Sequence, residues 1–77
     1  MEVQRKVLKE VTLKLLQKET YITFSEPSID LLYSLIDEYA DGNEKDVAKL
    51  VSKFSKSDFT KKILTRGLEI YQQEYSK

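Results

Sequence analysis

Apolar side chains in this sequence recur every three or four positions from near its start to near its end, and the recurrence breaks at only three places. The breaks are the run from Thr20 to Pro27, the triplet Asp41-Gly42-Asn43, and Ser55-Lys56-Ser57. A period between three and four is the spacing of one face of an α-helix. Four such stretches joined by short links must bury their stripes against one another. The chain is therefore expected to be all-α, a compact four-helix bundle with a short extended connector between helices 1 and 2, with residues 1–77 forming a single helical domain.

The first stretch runs from about Glu2 to Glu19, where Val3, Val7, Val11 and Leu15 recur every four residues with Leu8 and Leu16 beside them. No glycine or proline interrupts it. Thr20 to Phe24 is β-branched and aromatic, which favours an extended chain. It reads as a connector that turns Tyr21, Ile22 or Phe24 inward. Ser25-Glu26-Pro27-Ser28 is a helix start, with Ser25 as the cap, Glu26 at the positive end and proline where no N–H is needed. The second helix then runs to about Ala40, with Ile29, Leu32, Leu35, Ile36 and Tyr39 on one face. Gly42 suits a left-handed C-terminal cap, and Asn43 suits the cap of the next helix. That helix carries Val47, Leu50, Val51 and Phe54, and the last one starts at Ser57 or Asp58 and reaches about Tyr75. Its apolar positions include Phe59, Ile63, Leu64, Leu68, Ile70 and Tyr71, and Gly67 inside them points to a close helix contact. The expected core is Leu8, Val11, Leu15, Leu32, Leu35, Ile36, Val47, Leu50, Val51, Ile63, Leu64 and Tyr71.

Seventy-seven residues make a small core, with 40% hydrophobic and 34% charged residues coating it as a soluble globule. Thirteen basic and thirteen acidic residues balance, so global charge does not indicate a nucleic-acid binder. The chain has neither cysteine nor histidine, which removes disulfides, thiolate metal sites, and the commonest general base and zinc ligand. No glycine-rich phosphate loop occurs, no histidine is present to activate a serine, and nothing in the pattern supports a lysine-activated one. The reading is a non-enzymatic domain with no catalytic residue, cofactor, metal or small-molecule substrate. No apolar run approaches a membrane span or a targeting signal, so an intracellular location is expected.

Three constellations remain. Lys45, Lys49 and Lys53 fall four apart on one helix edge, followed by Lys56, and form the candidate contact for phosphate or an acidic partner. Residues 44 to 62 hold six lysines against three acids, although a solvated face explains these lysines as well. Asp37, Glu38, Asp41, Glu44 and Asp46 cluster around the turn without the spacing of an EF-hand, and capping roles suit Asp41, Glu44 and Asp46. Among five tyrosines and three phenylalanines, Tyr33, Tyr39, Phe54, Phe59 and Tyr71 sit at core-like positions, Phe24 belongs to the connector, and Tyr21 and Tyr75 are the candidates for a surface contact.

Leu13-Lys14-Leu15-Leu16, then Tyr21-Ile22-Thr23-Phe24-Ser25, then Ser28-Ile29-Asp30-Leu31-Leu32 place a leucine-rich helix, an extended link and a serine-capped helix in order. Val47 to Phe54 follows as a third helix. This order, over residues 7 to 75, resembles the N-terminal helical domain of DNA polymerase small subunits, of the archaeal D family or of eukaryotic polymerase epsilon (B subunit). It is also similar to the helical lid of AAA+ ATPases, with Ala40-Asp41-Gly42-Asn43 joining two helices. Ser28 stands where that family often has alanine. The resemblance implies a protein-contacting module in DNA replication, with a replication assembly as partner and weak, non-specific DNA contact. It implies an excised domain without the parent's oligonucleotide-binding and phosphatase-like parts, in the nucleus if eukaryotic and in the cytoplasm or nucleoid if archaeal. Three other readings stay open. A histone fold would need one long helix through Asp41-Gly42-Asn43. A harmonin-type peptide-binding bundle would lack its usual proline, and a helix-turn-helix would lack the arginine that reads bases.

Overall fold

Helix boundaries follow the sequence punctuation closely. The structure, a computed structural model, describes residues 2–54 and 57–76, with side chains from Gln4 to Lys53 and from Ser57 to Ser76. Among these residues lie four helices, α1 (Glu2–Thr20), α2 (Glu26–Ala40), α3 (Glu44–Phe54) and α4 (Asp58–Tyr75), and no strand. The side chains of Val3 and Phe54 lie outside the described residues. The radius of gyration is 11.5 Å, matching the roughly 11.5 Å of a folded globule of this length.

Each junction has a local cause. Gly42 adopts φ +84 with nothing within 4 Å of where a Cβ would stand, so the conformation alone calls for glycine. The Gly42 N–H donates to the Tyr39 carbonyl at 3.0 Å and the Asn43 N–H to the Glu38 carbonyl at 2.9 Å. Together these close a Schellman motif over α2. The Asn43 side-chain amide reaches back to the Glu38 carboxylate at 3.1 Å, while its backbone carbonyl accepts from Asp46 and Val47. At α4, Ser57 Oγ accepts from the Thr60 N–H at 3.1 Å, the expected cap. Ser25 differs from expectation, because its side chain caps no N–H. Pro27 removes one of the two donors within reach, and the Ser25 hydroxyl pairs with Ser28 Oγ at 3.1 Å instead. The connector is held by the Phe24 N–H donating to Gln17 Oε1 at 2.8 Å, and Phe24 packs onto the core.

The core closes around Leu16, Leu32, Leu35 and Ile36, all fully buried, with Val47, Leu64, Ile70 and Tyr71 completing it. α1 and α4 form the most extensive helix pair, α2 touches all three others, and α1 and α3 do not meet among the described residues. Gly67 explains the close approach of α4. A Cβ there would stand 2.8 Å from Leu32 Cδ1 and 3.2 Å from Leu16 Cδ2.

The face that α1 turns inward is the main correction to the sequence reading. Leu8, Leu13, Thr12 and Leu16 face the bundle, whereas Val7 is 52% and Leu15 38% exposed. Leu15 thus leaves the expected core, and Phe59, which its spacing put at a core-like position, is 65% exposed on α4. Leu8, Val11, Leu50, Val51 and Ile63 are half-buried. Thr12 is fully buried, and its hydroxyl has no hydrogen-bond partner among the described residues. An unpaired buried hydroxyl costs about 1–3 kcal/mol. Thr12→Val keeps the shape and the β-branch, and should raise stability by about 1 kcal/mol. A denaturant midpoint at or below wild type would contradict this.

Ion pairs fasten α1 to its neighbours. Arg66 on α4 donates to both carboxylate oxygens of Glu19 at 2.7 and 2.8 Å. That hydrogen-bonded guanidinium holds the Glu19 carboxyl below its ordinary 4.5. Its contribution is present above the ordinary value and fades as pH falls through the lower folded one, and solvent keeps it small. Lys9 donates to Asp37 at 3.0 and 3.1 Å, and Arg5 reaches Asp41 at 3.1 Å. Asp41 sits at the negative end of α2, where a carboxylate is unfavourable alone, and Arg5 offsets it.

Candidate functional site

On α3, Val47 is buried and Leu50 and Val51 half-buried, so the opposite side carries the charge. Lys45, Lys49 and Lys53 are all exposed there, at helical spacing of four. Lys56 lies outside the described residues. Glu44 and Asp46 are exposed in the first turn of the same helix, where their charge suits the positive end. The edge is therefore mixed at its N-terminal end and positive beyond it.

The acidic cluster resolves into pairs. Asp37 is taken by Lys9 and Arg5, Asp41 by Arg5, and Glu38 by Asn43. Among the described residues, no group of three or more His, Cys, Asp or Glu is placed to hold a metal ion.

Several concave surfaces surround the bundle, among them a shallow one of about 540 Å³ between α2 and Leu50 of α3. At one end, where the C-terminal turns of α2 and α4 meet the start of α1, a cavity of about 490 Å³ is lined by Arg5, Tyr39, Tyr71, Gln72 and Tyr75. Tyr71 is buried and Tyr75 67% exposed, with ring centroids 6.1 Å apart. Burial pushes the Tyr71 phenol up, so it remains a neutral hydroxyl. The Gln72 side-chain amide donates to the Tyr39 hydroxyl. Sequence spacing puts Tyr39 and Tyr71 in the core and Tyr75 on the surface, and the structure gathers all three at one rim.

At the other end, Ile22, Phe24, Leu31, Phe59 and Ile63 line a groove of about 320 Å³. Phe59, expected in the core, instead forms its outer edge. A trough of about 520 Å³ lies between α1 and α4, with Leu15, Lys18, Tyr21 and Ile70 among its lining. Tyr21 is 94% exposed with φ 57, a left-handed backbone unusual for a residue other than glycine.

Comparison with protein families, with characterised proteins and with solved structures gives no match. The surfaces must therefore be read from their own chemistry. Among the described residues, no helix is long and apolar enough to cross a membrane.

Sequence reasoning picks out Tyr21 and Tyr75 as surface aromatics, but it misses Phe59 and the exposed side of α1. The available signal was Thr12, a polar residue between Leu8 and Leu16, together with two apolar series one residue apart on the same helix.

Proposed function

We propose that this domain is a non-catalytic helical protein-interaction module. The observation that supports the reading is the exposure of Val7, Leu15, Tyr21, Phe59 and Tyr75 on a bundle whose core is already closed. Single exposed apolar residues are ordinary. Here Leu15 and Tyr21 share one trough, Phe59 edges a groove, and Tyr75 rims a tyrosine-lined cavity. Aromatic residues at the rims of shallow concave surfaces are the usual anchors of protein interfaces.

The narrower form of this proposal is the N-terminal helical domain of a DNA polymerase small subunit, acting within a replication assembly. Its support is the order of the leucine-rich α1, the link through Tyr21 to Ser25, and α2 with its paired Leu31 and Leu32. A photo-cross-linking residue at Val7, Tyr21 or Phe59, introduced in the native cell, should yield adducts of one discrete mass. The same residue at exposed Ser52 should yield none. A replication protein in the adduct supports the narrower form, and no discrete adduct from any of the apolar positions contradicts the module itself.

Weak DNA contact belongs to the same proposal, through Lys45, Lys49, Lys53 and Lys56. Binding to duplex DNA should be sequence-independent and fall steeply with salt. Changing Lys45, Lys49 and Lys53 to glutamine should reduce the logarithmic salt slope by about one for each of them that neutralises a phosphate. Titration of a labelled duplex at two salt concentrations checks this, and salt-resistant, sequence-selective binding would favour a helix-turn-helix instead.

A further inference from the structure

We infer that the outward face of α1 is a docking surface for an acidic amphipathic helix of a partner protein; this rests on the interaction-module reading and names its partner. The residues point there in two independent ways, one apolar and one electrostatic.

α1 carries two apolar series. Leu8 and Leu16, with Thr12 between them, face the core, and the second series, Val3, Val7, Val11 and Leu15, is displaced by one residue. One residue is about 100° around a helix, so both series cannot enter the same interface. A surface helix needs only one apolar stripe to fold. The second is left outward, with Val7 and Leu15 exposed and Val11 half-buried. The surface continues past Leu15 into the trough it shares with Ile70 and Tyr21. Of the five exposed large hydrophobic residues among those described, Val7, Leu15 and Tyr21 lie on α1 or directly after it.

The charges on α1 divide in the same way. Arg5, Lys9 and Glu19 pair across to α2 and α4. Lys6, Lys14 and Lys18 are exposed and make no ion pair among the described residues, and Glu10 is the one acid of α1 exposed beside them without a pair, while in the trough Lys18 and Arg66 balance Glu19 and Glu74. The outward face is therefore apolar with a net positive border. A second copy would set lysine against lysine. Nucleic acid would use the lysines but leave the valines and Tyr21 wet. A helix with an apolar stripe and acidic flanks satisfies both features. At 1.5 Å per residue, α1 offers a seat about 28 Å long.

The test uses two synthetic helical peptides of about 20 residues, with the same leucine stripe and either glutamate or lysine on the flanks. Duplex DNA serves as a third probe. The glutamate peptide should bind the wild-type domain at least about tenfold more tightly than the lysine peptide. Its amide shifts should centre on Val7 to Tyr21. Lys14→Glu with Lys18→Glu should reverse the preference. Val7→Ser with Leu15→Ser should weaken the glutamate peptide at least about tenfold while the domain keeps a folded amide spectrum. Equal or reversed preference in the wild type, or no binding of the glutamate peptide, overturns the inference. Shifts centred on Phe59 or Tyr75 overturn this face and leave the interaction-module reading standing, whereas failure of that reading would appear as absent cross-links in the cell. DNA binding at this face tighter than the peptide assigns the lysines to phosphate and overturns the helical partner.

Discussion

Leu32→Ala should lower the unfolding free energy by about 2–5 kcal/mol. Leu32 is fully buried, and its methyl groups meet α4 at Gly67, so it joins α2 to the α1–α4 pair. The loss combines the transfer of the removed methyl groups with the cavity they leave. A single core in a chain this short rarely supplies more than about 3–5 kcal/mol, so the variant should be largely unfolded at physiological temperature. Leu50→Ala is the control. Leu50 is only half-buried on α3, and its truncation should cost about 1–2 kcal/mol. Chemical denaturation of the two variants side by side checks the difference, and similar midpoints would contradict it.

Gly67→Val should destabilise by about 2–3 kcal/mol, because overpacking outweighs the gain in helix propensity. The new Cβ would lie 2.8 Å from Leu32 Cδ1, and Leu32 is fully buried. The cause can be separated from helix propensity by a double-mutant cycle. With the Leu32 side chain intact, Gly67→Ala should be neutral or destabilising. In the Leu32→Ala background, measured at low temperature, only Leu16 Cδ2 at 3.2 Å remains close, and Gly67→Ala should become stabilising, by up to about 1 kcal/mol. The same sign in both backgrounds would show that Gly67 is not there for clearance.

The helices and their ends were legible because the signals are local. Gly42 can hold its positive φ without penalty, and Ser57 needs only the Thr60 N–H three residues on. Even Gly67 betrayed a close contact, since an interior helical glycine has few other uses. The rotation of α1 was not legible. Val7 and Leu8 are both apolar, and neighbouring residues on a helix are about 100° apart. Which of the two faces inward depends on where α4 approaches, and Gly67 fixes that approach onto Leu16. The regular four-residue spacing from Val3 to Leu15 therefore misled, and the less regular series through Thr12 became the core face. Phe59 misled for a related reason. It continues the apolar spacing of α4, but Ile63 and Leu64 in the next turn already lie against the core, and Phe59 remains at the groove's edge. For the candidate site, the exposed lysines of α3 were legible as a helical period. The tyrosine rim was not, because it joins residues from α2 and α4 that only tertiary packing brings together.

Which side of α1 faces the core decides both fold and function, because the same rotation buries Leu16 and frees the stripe proposed to bind a partner. Leu15 and Leu16 are adjacent, identical in composition and equally placed within the helix, so comparing Leu15→Ser with Leu16→Ser isolates the rotation. Urea unfolding of the two variants under one set of conditions should show Leu16→Ser losing several kcal/mol, about 3 or more, and Leu15→Ser losing about 1 or less. Equal losses, or the larger loss for Leu15→Ser, would place the valine series in the core and remove the docking surface with it.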